Sequence, residues 1–174
     1  MRPEVHWIEM PATGRLAIMP RPRAGDWLED EIDGWKAEGI DLVVSLLEPH
    51  EVRELGLDQE AVLCRDHGIE FIAYPVPDRD VPASRRQTTA LARQMVGSIE
   101  AGHAVAIHCR TGIGRASLLA ACVLICLGSD ADAAFQRITR ARGVAVPDTE
   151  EQRAWAEGFL ASIRPASPGA APNG

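Results

Sequence analysis

The sequence predicts an α/β fold, a single domain in which helices flank a mostly parallel central sheet of four to five strands. Strand-like and helix-like segments alternate along the 174 residues, which is the pattern of βαβ units. The segment 41–47 (DLVVSLL) is an almost unbroken run of β-branched residues and leucine, which is typical of a strand covered on both faces. We expect the domain to span residues 1–163 and the Pro-, Gly- and Ala-rich end at 164–174 to be unordered.

Each expected element rests on apolar periodicity and on the residues that begin or end it. Pro20 and Pro22 confine the first strand to a short edge position after an irregular start, and Asp26 and Ser84 are suitable N-caps for helices. In chain order we expect an edge strand at 15–18, a helix at 26–38, a strand at 41–47, a helical turn at 51–55, a helix at 58–67, a strand at 69–74, a helix at 84–100, a strand at 104–108, and helices at 115–127, 130–141 and 149–163.

Charge and composition exclude several classes of protein. The net charge of -7 argues against binding to nucleic acid or to an anionic membrane through bulk charge, so any anion site must be local. No apolar stretch approaches the ~18 residues that cross a bilayer, and the first residues lack the features of a secretion signal. We therefore expect a cytoplasmic protein whose four cysteines are reduced.

The segment 104–119 (AVAIHCRTGIGRASLL) is the most informative part of the chain. Its pattern indicates a buried strand, a turn that contains Gly112 and Gly114, and an apolar helix. Glycines permit positive φ, so successive amides of the turn can face one anion, and the helix N-terminus adds a partial positive charge. This segment therefore predicts an anion-binding loop at the carboxyl end of a strand.

Cys109 opens this loop and Arg115 closes it. The residues between them, all expected to contribute to phosphate binding, are Arg110, Thr111, Gly112, Ile113 and Gly114. The guanidinium of Arg115 can hold two phosphate oxygens in fork geometry while loop amides hold the others. The same positive surroundings favour the thiolate form of Cys109, which makes it a nucleophile beside the bound phosphorus.

This H-C-x5-R arrangement resembles the signature of the cysteine-dependent protein tyrosine phosphatases, and the short chain is most similar to their dual-specificity branch. The resemblance implies that Cys109 attacks phosphorus and that Arg115 and the loop amides bind the phosphate, without a metal or an organic cofactor. It also implies a general acid on a separate loop about thirty residues upstream, where the segment PVPDRDVP places Asp78. Asp80 is the rival candidate. The resemblance covers roughly 41–159.

One position departs from that family. The residue after the loop arginine is usually Ser or Thr, and its hydroxyl is thought to stabilise the departing thiolate, whereas this chain has Ala116. We therefore expect slow hydrolysis of the intermediate, unless Thr111 or Ser117 compensates.

Two further residues are supporting candidates. Adjacent side chains on a strand face opposite ways, so His108 is expected to support the loop backbone through hydrogen bonds rather than to act as a base. Gln152, with Thr149, resembles a segment that orients water in some relatives. Glu48, His50 and Glu51 follow the second strand, at 41–47, where a solvated loop is favoured over a place at the pocket rim.

These features predict a phosphomonoester hydrolase, a protein tyrosine or dual-specificity phosphatase that acts through a cysteinyl-phosphate intermediate on phosphorylated proteins or small phosphomonoesters. A phosphate-recognition module of weak activity and a phosphatase of phosphoinositides or other non-protein substrates stay open as alternatives. Sulfur transfer is disfavoured by the arginine and the upstream aspartate. The sequence leaves substrate preference, oligomeric state and regulation open.

Overall fold

The computed structural model describes residues 2–164, so the expected unordered tail lies outside the described residues except for Arg164. Within that range the strands are β1 (His6–Ile8), β2 (Arg15–Met19), β3 (Leu42–Ser45), β4 (Glu70–Ala73) and β5 (Ala104–His108). The helices of the same range are α1 (Leu28–Ala37), α2 (Pro49–Glu54), α3 (Glu60–Asp66), α4 (Arg85–Glu100), α5 (Arg115–Cys126), α6 (Ala131–Arg142) and α7 (Glu150–Ile163). The predicted α/β class is confirmed.

The strands form one mixed sheet in the order β1–β2–β5–β3–β4, in which β1 is antiparallel to β2 and the other pairs are parallel. The expectation of an edge strand at 15–18 is wrong, because β1 pairs with the free side of β2 in the register His6 to Ile18. The chain before Arg15 is therefore not irregular. Three residues are too few to show strand periodicity, which is why sequence reasoning missed β1.

Side chains that alternate along the strands fill two cores, one on each face of the sheet. Leu16, Ile18 and Ile107 face the core beneath α4–α7, whereas Ala17 and Ala106 face the core beneath α1 and α3. Burial on both faces explains the apolar runs of the central strands. In α5, all side chains from Arg115 to Ile125 are buried, since the helix lies between the sheet and its neighbours α4, α6 and α7.

Side-chain caps begin three of the helices. The Ser84 hydroxyl accepts a hydrogen bond from the Gln87 amide at 3.1 Å, and Asp130 and Thr149 cap α6 and α7 in the same manner. The expected cap at Asp26 is wrong. A 3-10 turn over Gly25–Trp27 precedes α1, and the Asp26 side chain makes no capping bond there.

The parallel strands end level with one another, and this alignment brings the functional loops together. Met19 and Ser45 both pair with His108, and Ser45 also pairs with Ala73. The loops after β2, β3, β4 and β5 therefore leave the sheet at a common edge, as expected for ligand sites in parallel sheets. Among residues 2–164, no helix is long and apolar enough to cross a membrane.

Candidate active site

The loop between β5 and α5 is held from behind by an arginine of α6. The Arg142 guanidinium donates from Nη2 to the Thr111 carbonyl at 3.2 Å and from Nε to the Gly112 carbonyl at 3.3 Å. Arg142 is 30 residues or more from both acceptors in the sequence. The sequence did not predict this arginine, in the last turn of α6, as a site residue.

The two preceding carbonyls of the loop are also held. His108 Nδ1 lies 3.1 Å from the Cys109 carbonyl oxygen, and the Arg21 amide donates to the Arg110 carbonyl at 3.2 Å. The contact that the sequence predicted between His108 and the loop backbone is therefore present. A trans peptide places its N–H opposite its C=O, so these anchors turn the amides of residues 110–113 away from the anchored side.

The loop borders a pocket of about 200 Å³, roughly the space that a phosphate group and a few waters require. Its lining residues are Asp78, Arg79, Cys109, Arg110, Thr111, Ile113, Gly114, Arg115 and Asp148. The structure thus brings Cys109, Arg115 and Asp78 together as predicted, and Cys109 is 2% exposed.

The two loop glycines are required for different reasons. Gly112 has φ +71°, and a Cβ there would lie 2.6 Å from the Met19 carbonyl carbon, so both conformation and space demand glycine. The expectation of positive φ at Gly114 is wrong, since its φ is -84°. A Cβ at Gly114 would instead collide with the carboxylate of Asp148.

Arg115 is buried and its guanidinium is held in a fixed orientation by Glu51. Nη1 donates to Glu51 Oε2 at 2.8 Å, and Nη2 donates to Glu51 Oε1 at 3.0 Å. Nη1 also donates to the Val76 carbonyl at 2.9 Å. Burial by itself lowers the pKa of Arg115, but the hydrogen bonds that it donates to Glu51 and the charges of Cys109, Glu51 and Asp78 outweigh burial and raise it.

The interpretation of Glu51 as part of a solvated loop is wrong, because its side chain is 3% exposed. Burial alone would raise the pKa of Glu51, yet the bonds from Arg115 and from the Glu48 amide lower it overall. Sequence reasoning had only its place after β3 to use, and that place does not reveal a partner 64 residues away.

Of the two candidate acids, Asp78 is the one that faces the pocket. Asp78 Oδ1 lies 3.2 Å from Arg115 Nη2, and half of the side chain is exposed. Asp80 Oδ1 accepts from the Val81 amide at 2.7 Å, which directs that carboxylate to its own loop. The geometry therefore agrees with the preference for Asp78.

Gln152 is buried, and its polar atoms contact backbone groups. Its Oε1 accepts from the amides of Asp148 and Thr149 at 3.1 and 3.2 Å, and Nε2 donates to the Asp80 carbonyl at 3.2 Å. Gln152 thus joins the start of α7 to the loop that carries Asp78. Its suggested role in orienting water stays a prediction.

The side chains proposed to replace the missing hydroxyl lie in different surroundings. Ala116 is fully buried and offers a methyl group, whereas Thr111 is exposed beside the pocket. The Ser117 hydroxyl is buried and has no hydrogen-bond partner among the described residues.

Sequence reasoning also missed Arg79 and Asp148, which line the pocket from distant loops.

Comparison with known proteins agrees with this geometry. Residues 17–129 match the family model described as "Polymorphic toxin system, DSP-PTPase phosphatase". The comparison with curated proteins gave no match. The fold is similar to kinase associated phosphatase (KAP), with a TM-score of 0.86 and 17% identity over 94% of this chain and 97% of that one.

Two other solved structures are also similar. Tk-PTP in its active form has a TM-score of 0.74 and 28% identity over 92% of this chain and 98% of that one. PTPMT1 has a TM-score of 0.74 and 18% identity over 92% of this chain and 96% of that one.

Proposed function

The chain belongs to the DSP-PTPase phosphatase family, as its H-C-x5-R motif indicated, and from this premise we propose that it hydrolyses phosphomonoesters through a cysteinyl-phosphate intermediate. One observation carries the proposal: Cys109, Arg115 and Asp78 border one small pocket, beneath a loop whose carbonyls are anchored on the other side. Amides and a guanidinium in this arrangement stabilise the charge of a phosphoryl group in transfer.

The reaction then has two steps. The Cys109 thiolate attacks phosphorus, the S–P bond forms as the P–O bond to the leaving group breaks, and Asp78 gives its proton to the leaving oxygen. In the second step Asp78, now ionised, takes a proton from water while that water attacks phosphorus. The S–P bond breaks, and inorganic phosphate and the thiolate of Cys109 are released.

The ion pair between Asp78 and Arg115 bears on the first step. Nη2 of Arg115 donates a hydrogen bond to Glu51, and the same nitrogen forms an ion pair with Asp78 Oδ1 at 3.2 Å. A phosphate held in fork geometry by this guanidinium competes with Asp78, so binding displaces Asp78 from the ion pair. The displaced Asp78 side chain is then free to approach the leaving oxygen of the bound phosphomonoester.

We propose phosphorylated protein side chains as the substrate class. The pocket rim mixes the acidic Asp78 and Asp148 with the basic Arg79 and Arg110, so it has no uniform positive field for a multiply phosphorylated headgroup. Activity on phosphoinositides that exceeds activity on phosphopeptides would contradict this choice. A cytoplasmic location, expected from the sequence, stays a prediction.

Acid-quenched reactions with a 32P-labelled phosphopeptide test the mechanism. The wild-type protein should retain label on Cys109, release phosphate, and keep its activity in EDTA. Cys109→Ser should lose turnover, whereas Cys126→Ser, which alters another thiol at the far end of α5, should keep it. Undiminished hydrolysis by Cys109→Ser refutes the proposal.

Ala116 favours a second candidate, a phosphate-recognition module that turns over slowly or not at all. Stopped-flow hydrolysis of p-nitrophenyl phosphate distinguishes the two. A burst of one equivalent followed by a slow steady rate identifies an enzyme limited by its second step, and binding of phosphate without any product identifies a recognition module.

A further inference from the structure

A buried acid–base pair lies beneath the candidate active site, and the two chemical steps above do not use it. Glu60, at the start of α3, and His108, at the end of β5, are 2% and 0% exposed, and His108 Nε2 lies 2.6 Å from Glu60 Oε1. The two residues are 48 positions apart in sequence. The His108 ring also lies beside Trp35 of α1, with the ring centroids 6.2 Å apart.

The hydrogen-bond partners determine where the protons of this pair lie. The Cys109 carbonyl oxygen only accepts hydrogen bonds, so the 3.1 Å contact requires a proton on His108 Nδ1. The contact between Nε2 and Oε1 then needs one further proton, which the two atoms share. The pair is electrically neutral whichever atom holds that proton.

Burial alone would lower the pKa of His108, but the Glu60 carboxylate and the Cys109 carbonyl raise it overall, while the charge of Arg115 opposes them. This balance agrees with an Nδ1 that keeps its proton. Glu60 thus holds in place a ring whose other nitrogen contacts the phosphate loop.

We propose that Glu60 is a positioning residue of the phosphate loop, which acts through His108 to fix the direction of the peptide between Cys109 and Arg110. With Nδ1 protonated, the Cys109 carbonyl points toward the buried ring, and the N–H of Arg110, on the opposite side of the trans peptide, points away from it toward the anion. Without Glu60 the ring loses the hydrogen bond at Nε2. The contact at Nδ1 then no longer fixes the position of the ring, and the Cys109 carbonyl loses a rigid partner.

The peptide between Cys109 and Arg110 depends on Glu60 more than the next three peptides of the loop do. The Arg110 carbonyl is held by the Arg21 amide, and the Thr111 and Gly112 carbonyls are held by Arg142, so all three keep their anchors when Glu60 changes. The inference rests on the proposed phosphate-binding role of the loop. Loss of one amide donor to a bound anion should weaken its affinity on the order of tenfold or more.

The test compares Glu60→Gln with Glu60→Leu, and Cys64→Ala is the control because Cys64 is buried one turn later on α3, in the core cluster that does not contain Cys109. The side-chain amide of Gln can hydrogen-bond to Nε2 and so keeps the ring in place, whereas Leu cannot. The readouts are the 15N NMR shifts of the two His108 ring nitrogens and the affinity for orthovanadate measured by calorimetry.

We expect Glu60→Gln to keep Nε2 hydrogen-bonded and to bind vanadate within about threefold of wild type. Glu60→Leu should show an Nε2 without a proton or a hydrogen bond, and it should bind vanadate roughly tenfold more weakly. Wild-type vanadate affinity in folded Glu60→Leu, or an equal loss in Cys64→Ala, overturns the proposal. If Glu60→Leu does not fold, the test is the wild-type protein itself. An unprotonated Nδ1 on His108 in the wild-type protein overturns the proposal.

Neither readout requires turnover. A wild-type protein that binds vanadate and hydrolyses nothing contradicts the proposed hydrolysis, and it leaves the NMR and affinity comparisons intact. The two proposals therefore fail in different measurements.

Discussion

Replacement of Glu51 by Gln should impair both the stability and the activity of this protein. Glu51 accepts two hydrogen bonds from the Arg115 guanidinium at 2.8 and 3.0 Å, and both side chains are almost completely buried. Gln keeps one acceptor oxygen, but it removes the charge and turns an N–H₂ group toward the guanidinium. The variant therefore leaves a buried cation without its principal counter-charge.

The expected loss follows from the contacts that remain. Removal of one partner from a buried ion pair typically costs about 3–5 kcal/mol of unfolding free energy. In the variant, Arg115 keeps its hydrogen bond to the Val76 carbonyl and its ion pair with Asp78, and the Gln side chain keeps one hydrogen bond. We therefore expect a loss at the lower end of this range, about 3 kcal/mol of unfolding free energy. For a domain of this size that loss corresponds to a Tm lower by roughly 6–12 °C.

Activity should fall because Asp78 becomes the remaining carboxylate partner of Arg115. A tighter ion pair holds Asp78 beside Nη2 of Arg115, where it competes with phosphate, and the guanidinium loses its fixed orientation. Misplacement that costs about 1.4 kcal/mol of transition-state stabilisation lowers kcat/KM tenfold, and we expect at least this loss.

The pH dependence of stability gives a second readout. The pKa of Glu51 is lowered in the folded protein, so its contribution is fully present above its unfolded value near 4.5 and is lost as pH falls through the lower folded value. The difference in unfolding free energy between wild type and Glu51→Gln should therefore be constant from pH 7 to about 5 and narrow below that.

Urea unfolding and steady-state hydrolysis of p-nitrophenyl phosphate measure these effects. Glu54→Gln is the matched control, since Glu54 lies on the same helix, is exposed and is 3.6 Å from Arg110 at the surface. It should change stability by less than about 0.5 kcal/mol. If Glu51→Gln unfolds at the same urea concentration as Glu54→Gln and has the same kcat/KM, the reasoning about the buried pair is wrong.

Three further predictions follow from the site. Asp78→Asn should lower kcat by about 10²–10⁴ for a phosphopeptide and less for p-nitrophenyl phosphate, whose leaving group needs little protonation; equal losses on both substrates would argue against an acid role. Ala116→Ser should raise the steady-state rate and shrink the burst in stopped-flow traces, and an unchanged burst would show that this hydroxyl does not govern the second step. Arg142→Met should weaken orthovanadate binding by roughly tenfold, because the Thr111 and Gly112 carbonyls lose their donor, while Arg140→Met, on the same helix, should leave binding unchanged in calorimetry.

Local patterns were sufficient to predict most of the fold. Apolar runs and caps such as Ser84 predicted the positions of the long strands and helices within a few residues, because these signals lie inside one contiguous segment. The failures came where the local signal was short. The three residues of β1 carry too little periodicity, and a single acid at Asp26 does not reveal that a 3-10 turn precedes α1.

The sequence by itself predicted the loop that we propose binds phosphate, because one short segment contains Cys109, the glycines and Arg115 at their required spacing. Only the tertiary structure decided what surrounds that loop: Glu51 on Arg115, Glu60 on His108, and Arg142 behind the carbonyls. These partners come from helices far along the chain. A charged side chain on a helix has the same local pattern whether it meets solvent or a buried partner, and the choice between them depends on how the helices pack against the sheet.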